Sequence, residues 1–179
     1  MQKPRSRGRV ARVISGIAHA SVFPLLALPL VSFVSECGER VNVTGYQALV
    51  GFKVNPADFF VDPSTIHVSP IQFGPDLWIA LLLVVAAAGT AAAVAGGLRF
   101  VLARIGADVI GVAAVQLAIT AYAPFQIDSP FSAKGYAIYV QPASAVSLIT
   151  AVLVIAFIAD AVSAARYWLA RDHARPGGT

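Results

Sequence analysis

Three side chains that can carry a proton lie inside segments that are otherwise apolar: His19, Asp108 and Asp160. Asp108 follows Arg104 by one helical turn, which is about 6 Å along the axis. Asp160 lies about 9 Å before the next arginine of the sequence, and His19 lies about 10 Å after the preceding one. Because each group lies at a similar distance from an arginine, we expect the three to meet at one level of a helical bundle.

The predicted polar cluster of His19, Arg104, Asp108 and Asp160 has two interpretations. Ionisable groups inside a membrane are costly and usually face inward or pair, so the cluster can be a set of ion pairs that fixes the helix positions. The same residue types also form proton or ion relays. Water and long arginine side chains reach groups near the membrane interface, which favours the structural interpretation.

The sequence lacks the patterns that are typical of enzymes and metal sites. It has no phosphate-binding glycine loop, no G-x-S-x-G elbow and no H-E-x-x-H helix. Its carboxylates are few and scattered, and Cys37 and the three histidines are not grouped at the spacing of metal ligands. We therefore predict a protein that is not an enzyme and that needs no cofactor or metal.

The composition indicates an integral membrane protein. Of 179 residues, 58% are hydrophobic and 12% are charged, whereas about 25% are charged in an average soluble domain. A soluble chain of this length would have to hide that apolar surface inside one modest core, whereas a membrane protein exposes it to lipid. The lipid bilayer is therefore the first expected partner.

Four apolar segments are long enough, at about 20 residues, to cross a hydrocarbon core of about 30 Å as helices. They are residues 13–34, 77–98, 101–122 and 143–165. Helices are expected because isolated strands would leave backbone groups unpaired in lipid. The predicted fold class is an all-α membrane protein, a four-transmembrane-helix bundle that forms a single membrane domain over residues 1–179.

The basic residues predict how the chain is oriented. Ten of the thirteen lysines and arginines fall in the tails 1–12 and 166–179 or near the connection between the second and third spans. Cytoplasmic segments are enriched in Lys and Arg, so both termini are expected in the cytoplasm. The net charge of +4 follows from this bias and does not indicate binding to nucleic acid.

The segments 35–76 and 123–142 are then expected outside the cytoplasm. The first is too long for a tight turn, and its short alternations of apolar and polar residues suit β-strands. Glycine and proline interrupt the first segment repeatedly, and the second is rich in proline and aromatic residues. We predict a small extracytoplasmic cap that can contain short β-strands.

Small residues recur every four positions in the second span, at Gly89, Ala93 and Gly97. This spacing places them on one face of a helix, where they let a neighbouring helix approach closely. General alanine richness of the segment explains the same pattern. We predict a helix-packing face, which contacts within the bundle can satisfy without a dimer.

The first outer loop carries a short motif near its start. Its residues are Cys37, Gly38, Thr44, Gly45, Tyr46 and Gln47, in the order C-G…T-G-Y-Q. In this motif and in its four-span layout the chain resembles uncharacterised small four-helix membrane proteins of actinobacteria and related bacteria. That resemblance implies a bacterial plasma membrane, the inner membrane, and no established activity. The layout is similar to claudins in topology only, because the loop contains one cysteine and no tryptophan.

Two functions fit these features. We predict a non-enzymatic accessory or scaffold subunit of a membrane complex, whose partner is another membrane protein or a second copy of itself. The alternative is a small transporter or channel component with the polar cluster near its cytoplasmic leaflet. A continuous wet passage would favour the transporter, and a sealed interior of alanine, leucine and valine would favour the scaffold.

Overall fold

The computed structural model describes residues 5–35, 38–59, 69–122, 127–128 and 137–173. These residues are mostly helical, with a small sheet. The chain divides into two compact units. The helical unit comprises Met1–Phe23, Leu82–Ala113 and Ile149–Thr179, and the sheet unit comprises Pro24–Leu81 and Ala114–Leu148.

Five α-helices are present in the described residues. They are α1 (Arg5–Leu25), α2 (Gly45–Val50), α3 (Leu77–Ala95), α4 (Leu98–Tyr122) and α5 (Ser144–His173). Three of them are long and apolar enough to cross a membrane: α3, α4 and the Ser144–Leu169 part of α5. These three lie where the second, third and fourth spans were predicted, but α5 continues well into the predicted tail because no glycine or proline interrupts it there.

The three apolar helices are apolar on their exposed faces as well as on their buried ones. Helices α4 and α5 bury a residue at every third or fourth position. Exposed positions between these carry large apolar side chains: Leu102, Val109, Ile110 and Leu117 on α4, and Leu148, Val154, Ile155, Phe157 and Ile158 on α5. Only 33% to 39% of each apolar window is buried, so most of this surface is compatible with contact with lipid.

Helix α3 begins and ends at residues suited to those positions. Asp76 Oδ1 accepts hydrogen bonds from the backbone N–H groups of Trp78 (2.8 Å) and Ile79 (3.2 Å), which caps the N-terminus. The helix ends before Gly96 and Gly97, whose φ angles of 71° and 96° are easily adopted only by glycine. Gly97 therefore lies in the α3–α4 turn, outside the helix-packing face predicted to include it.

The first predicted span, residues 13–34, is not one helix. Helix α1 begins earlier, in the basic tail, and ends at Leu25, after which Pro29 opens a β-strand. Pro29 disfavours a longer helix, because proline has no N–H to donate to Leu25 and disfavours helical geometry in the residue before it. Pro24, by contrast, lies inside α1, one residue before its end. The β-branched valines that follow suit a strand, and an apolar run by itself does not distinguish the two structures.

Four strands of the sheet unit form an antiparallel sheet in the order β2–β1–β6–β5, and β3 pairs with β4 in a separate ladder. The strands are β1 (Pro29–Ser35), β2 (Arg40–Thr44), β3 (Phe52–Val54), β4 (Ile71–Phe73), β5 (Ile127–Asp128) and β6 (Ala137–Pro142). Val31 lies opposite Val43 of β2 on one side and Pro142 of β6 on the other. Strand β1 is thus central, with partners on both edges.

An aromatic cluster forms the core of the sheet unit. Phe52 and Phe73 lie opposite each other on β3 and β4, and their rings stack with centroids 4.7 Å apart. The Phe33 ring of β1 is 5.5 Å from that of Phe73. Tyr122, at the end of α4, lies 5.8 Å from both ladder rings. Each aromatic pair stabilises a fold by about 0.5–1.5 kcal/mol beyond the effect of its buried area. These contacts therefore stabilise the packing of β1 and the end of α4 against the β3–β4 ladder.

Candidate functional site

Five polar side chains meet inside the helical unit. Ser15 and His19 lie on α1, Arg104 and Asp108 lie on α4, and Asp160 lies on α5. All five are at most 1% exposed, and the spacing of four residues places each pair on one face of its helix. The structure thus brings together the four residues predicted from the sequence. It adds Ser15, whose only sequence signal is its position one turn before His19.

Arg104 and Asp160 form an ion pair with several hydrogen bonds. Arg104 Nη2 lies 2.7 Å from Asp160 Oδ1, and Nε lies 3.1 Å and 3.0 Å from the two carboxylate oxygens. Nη1 also donates to the carbonyl of Ala92 on α3 at 3.4 Å. One buried guanidinium therefore connects α4 to α5 and to α3 through charge-assisted hydrogen bonds.

Ser15 connects this ion pair to His19. The Ser15 hydroxyl donates to Asp160 Oδ2 at 2.7 Å, and the Ser15 carbonyl lies 2.8 Å from His19 Nδ1. A carbonyl oxygen can only accept, so His19 Nδ1 must carry the hydrogen of this bond. His19 therefore presents its other nitrogen, Nε2, to the residue that faces it.

That residue is Asp108. His19 Nε2 lies 3.2 Å from Asp108 Oδ1, within ion-pair distance. The approach does not have the geometry of a hydrogen bond, and among the described residues Nε2 and both Asp108 oxygens have no hydrogen-bond partner. Most buried polar atoms in proteins are hydrogen-bonded. The His19–Asp108 pair therefore has unsatisfied hydrogen-bonding atoms, in contrast to the Arg104–Asp160 pair.

Small residues make room for α1 beside α3. A Cβ atom at Gly89 would overlap the His19 ring, and a Cβ atom at Gly16 would come within 3.1 Å of the Ala93 Cβ. Gly89 and Ala93 of the predicted helix-packing face thus face α1, whereas Gly97 belongs to the turn described above. The close approach of the two helices is what allows the histidine ring to reach the interior of the unit.

The loop motif T-G-Y-Q builds local structure in the sheet unit. Thr44 caps α2, because its hydroxyl accepts from the Gln47 N–H (3.2 Å) while the Gln47 side chain accepts from the Thr44 N–H (2.8 Å). This reciprocal arrangement is a capping box. A Cβ atom at Gly45 would overlap Leu26, and the Tyr46 N–H donates to the Leu26 carbonyl (3.3 Å). These four residues therefore have folding roles.

Gly38, the second residue of the C-G part of the motif, lies between β1 and β2. Gly38 has a φ angle of 89°, and its N–H donates to the Ser35 carbonyl at 2.9 Å. The positive φ explains why glycine is needed there. Cys37 lies outside the described residues.

The comparisons with known proteins add no functional information. No family model, curated protein or solved structure matches the chain. The resemblance to small actinobacterial membrane proteins therefore stays a prediction. Within the described ranges, no group of three His, Cys, Asp or Glu side chains is placed to hold a metal ion.

The chemistry of the polar cluster follows from its burial and its bonds. Breaking a buried ion pair by removing one partner typically costs about 3–5 kcal/mol, since the remaining charge has no counter-ion. The Arg104–Asp160 pair is therefore suited to hold three helices in register. The His19–Asp108 pair has unused polar atoms and is suited to hold a proton.

Proposed function

We propose that this protein is a non-enzymatic integral membrane protein that serves as an accessory or scaffold subunit of a membrane complex in a bacterial plasma membrane. The observation that carries the proposal is the apolar exposed face of α3, α4 and α5. Val94 is 81% exposed on α3 and Ile158 is 56% exposed on α5. An extended apolar surface of this kind marks contact with lipid or with another protein.

Helix α1 supplies the fourth crossing in this proposal. In the helical unit, the segment from Ser15 to His19 packs against Gly89 and Ala93 of α3 and against polar residues of α4 and α5. Its apolar part, residues 13–25, is shorter than the usual span of about 20 residues. In this proposal, the long side chains of Arg9 and Arg12 would reach from the start of this part to the headgroups, as long basic side chains do.

The distribution of basic residues supports the orientation in which both termini are cytoplasmic. The sheet then belongs to an extracytoplasmic cap, which includes β1 from the predicted first span as well as residues of the predicted loops 35–76 and 123–142. Strands β1, β2, β5 and β6 and the β3–β4 ladder would form this cap outside the bilayer.

A scaffold role, rather than transport, is supported by how the interior of the helical unit is filled. The polar cluster is buried, and three of its side chains are held by the hydrogen bonds between Ser15, Arg104 and Asp160. Alanine, valine and leucine side chains of the same unit are buried as well, among them Ala107, Val85 and Leu153. A sealed and cross-linked interior of this kind is suited to present a rigid outer surface to a partner.

The proposal is tested by purifying the tagged, full-length protein from its own membranes in a mild detergent after crosslinking in cells, followed by mass spectrometry. We expect one membrane protein, or a second copy of this chain, to be recovered in near-equal amount. An unrelated tagged membrane protein from the same cells is the control. Recovery of the chain alone, as a monomer, would contradict the scaffold role, and release from membranes by alkaline carbonate would contradict membrane insertion.

A small transporter or channel component is the second candidate. The His19–Asp108 pair favours it, because its facing polar atoms lack hydrogen-bond partners among the described residues. Proton flux into proteoliposomes distinguishes the two functions. Transport through the cluster requires that Asp108→Asn and Asp160→Asn lower the flux, whereas the scaffold role requires that the wild-type protein conducts no more than empty vesicles do.

A further inference from the structure

We infer that His19 and Asp108 form a proton-binding site, in which one proton is held between His19 Nε2 and Asp108 Oδ1 and is part of the folded structure. The inference does not depend on the partner or on transport. Four features of the cluster support it. They are the hydrogen on His19 Nδ1, the distance from Nε2 to Asp108 Oδ1, the pairing of Arg104 with Asp160 and the exclusion of water.

The hydrogen on Nδ1 fixes what Nε2 can do. Nδ1 donates to the Ser15 carbonyl at 2.8 Å, so a neutral His19 has a bare lone pair on Nε2. An ionised Asp108 also has only lone pairs to offer. Without an additional proton, two acceptors would therefore face each other at 3.2 Å, and the carboxylate would have no hydrogen-bond donor among the residues that the structure describes.

One proton resolves this conflict. Placed on Nε2 it gives an imidazolium that faces a carboxylate, and placed on Oδ1 it gives a carboxylic acid that donates to a neutral imidazole. Either arrangement has no net charge and supplies the missing hydrogen bond once the two side chains rotate into hydrogen-bonding geometry. A second proton would leave a net positive charge beside Arg104, which burial disfavours.

The neighbouring charged groups do not replace this proton. On α4, Arg104 is engaged by Asp160 of α5, with Nη2 to Oδ1 at 2.7 Å. On α1, the Ser15 hydroxyl also donates to Asp160, at 2.7 Å. Helix α3 contains no titratable residue between Leu77 and Ala95. The facing groups thus form a neutral pair of their own, and no donor among them is turned toward Asp108.

Water does not supply the hydrogen bond either. His19 and Asp108 are both 0% exposed. The His19 ring itself fills the space that a side chain at residue 89 would occupy. A buried carboxylate without a hydrogen-bond donor is strongly disfavoured, and a proton shared with His19 supplies that donor.

This site makes a quantitative prediction about pH. In an unfolded chain, a histidine loses its proton above about pH 6.5, while an aspartic acid has lost its own above about pH 3.9. Above about pH 6.5 the folded state then holds one proton more than the unfolded state. Since stability falls with pH wherever the folded state binds more protons, the folding equilibrium constant should fall about tenfold per pH unit until the site itself releases its proton.

The test is equilibrium unfolding of the full-length protein in mixed micelles of a mild detergent and dodecyl sulfate, followed by tryptophan fluorescence between about pH 6 and about pH 9. A chelator is present so that a metal ion cannot replace the proton. The informative variant is Asp108→Asn, whose amide N–H can donate permanently to the neutral Nε2. We expect the wild type to lose stability about tenfold per pH unit and Asp108→Asn to be insensitive to pH in this range.

Asp58→Asn is the matched control, because Asp58 is an exposed residue of the sheet unit and its neutralisation should leave the wild-type slope intact. Equal slopes for the wild type and Asp108→Asn would overturn the inference. If the variant does not fold, nitrogen-15 spectra of the wild-type histidine side chains decide. The inference requires an Nε2 signal that is protonated or hydrogen-bonded at about pH 8, and a bare, unprotonated Nε2 on His19 would overturn it.

Discussion

The His19 ring occupies the space in which a side chain of Gly89 would lie. The ring is fixed on one side by the hydrogen bond from Nδ1 to the Ser15 carbonyl and faces Asp108 with Nε2 on the other. It cannot move away from α3 without losing at least one of these contacts. The two residues therefore form a matched pair, in which the absence of a side chain on one helix is required by the ring on another.

Gly89→Ala should destabilise the protein by about 1–3 kcal/mol, the usual cost of inserting a methyl group into a packed core. The reason is that the added Cβ overlaps the His19 ring. Unfolding in mixed micelles measures the change. Gly106→Ala on α4 is the control, since a Cβ there meets nothing within 4 Å and alanine favours helix. Equal effects of the two substitutions would contradict the packing of His19 against Gly89.

Arg104→Met should cost about 3–5 kcal/mol, because it leaves the Asp160 carboxylate buried without its counter-ion. The double variant Arg104→Met/Asp160→Leu removes both charges and should recover much of that loss. The same unfolding measurement applies. Arg99→Met is the control, because Arg99 is exposed and exposed substitutions usually change stability by less than about 0.5 kcal/mol. A double variant as unstable as Arg104→Met would show that the charges do not act as a pair.

Thr44→Ala should weaken α2 by about 1 kcal/mol, since it removes the hydroxyl that caps the helix. Thr44→Ser keeps a capping hydroxyl and should behave as the wild type. Hydrogen exchange of the peptide that covers Gly45–Val50 provides the measurement, with faster exchange expected only for the alanine variant. If both variants exchange alike, the capping box observed with Gln47 does not stabilise the helix.

Cysteine labelling tests the proposed orientation. In a Cys37→Ser background, Glu39→Cys should react with a membrane-impermeant maleimide in intact cells, because the sheet is assigned to the outer side. Arg99→Cys, next to the α3–α4 turn, should react only after permeabilisation. Both residues are exposed, so burial does not account for a difference. The reverse pattern would contradict the assignment of the termini to the cytoplasm.

The meeting of the cluster residues could be predicted from the sequence, because helical spacing and the cost of burying a charge leave few other arrangements of these side chains. Arg104 and Asp108 share a face at one turn of separation, and a histidine or carboxylate inside an apolar helix must face inward. Ser15 could not be anticipated in the same way. Its role depends on a rotamer that directs its single donor, the hydroxyl, at Asp160, and a neutral serine in an apolar run imposes no comparable constraint.

The sheet was harder to anticipate than the helices. Residues 29–35 are as apolar as a membrane helix, and their strand structure depends on pairing with β2 and on β6, which lies far away in the sequence. Long-range pairing leaves no local periodic signal in a strand buried on both faces. The end of α3 shows the same limitation, because Gly97 fits a small-residue spacing as well as it fits a turn that requires positive φ.

The central position of β1 has a consequence for biosynthesis. Val31 pairs with Val43 soon after both are made, but its other neighbour, Pro142, emerges from the ribosome only after α3 and α4. Until then the backbone N–H and C=O groups along one edge of β1 have no strand to pair with, and such an edge can pair with other chains. The β6-facing edge of β1 therefore stays unpaired throughout the synthesis of α3 and α4, and it is covered only when synthesis reaches β6.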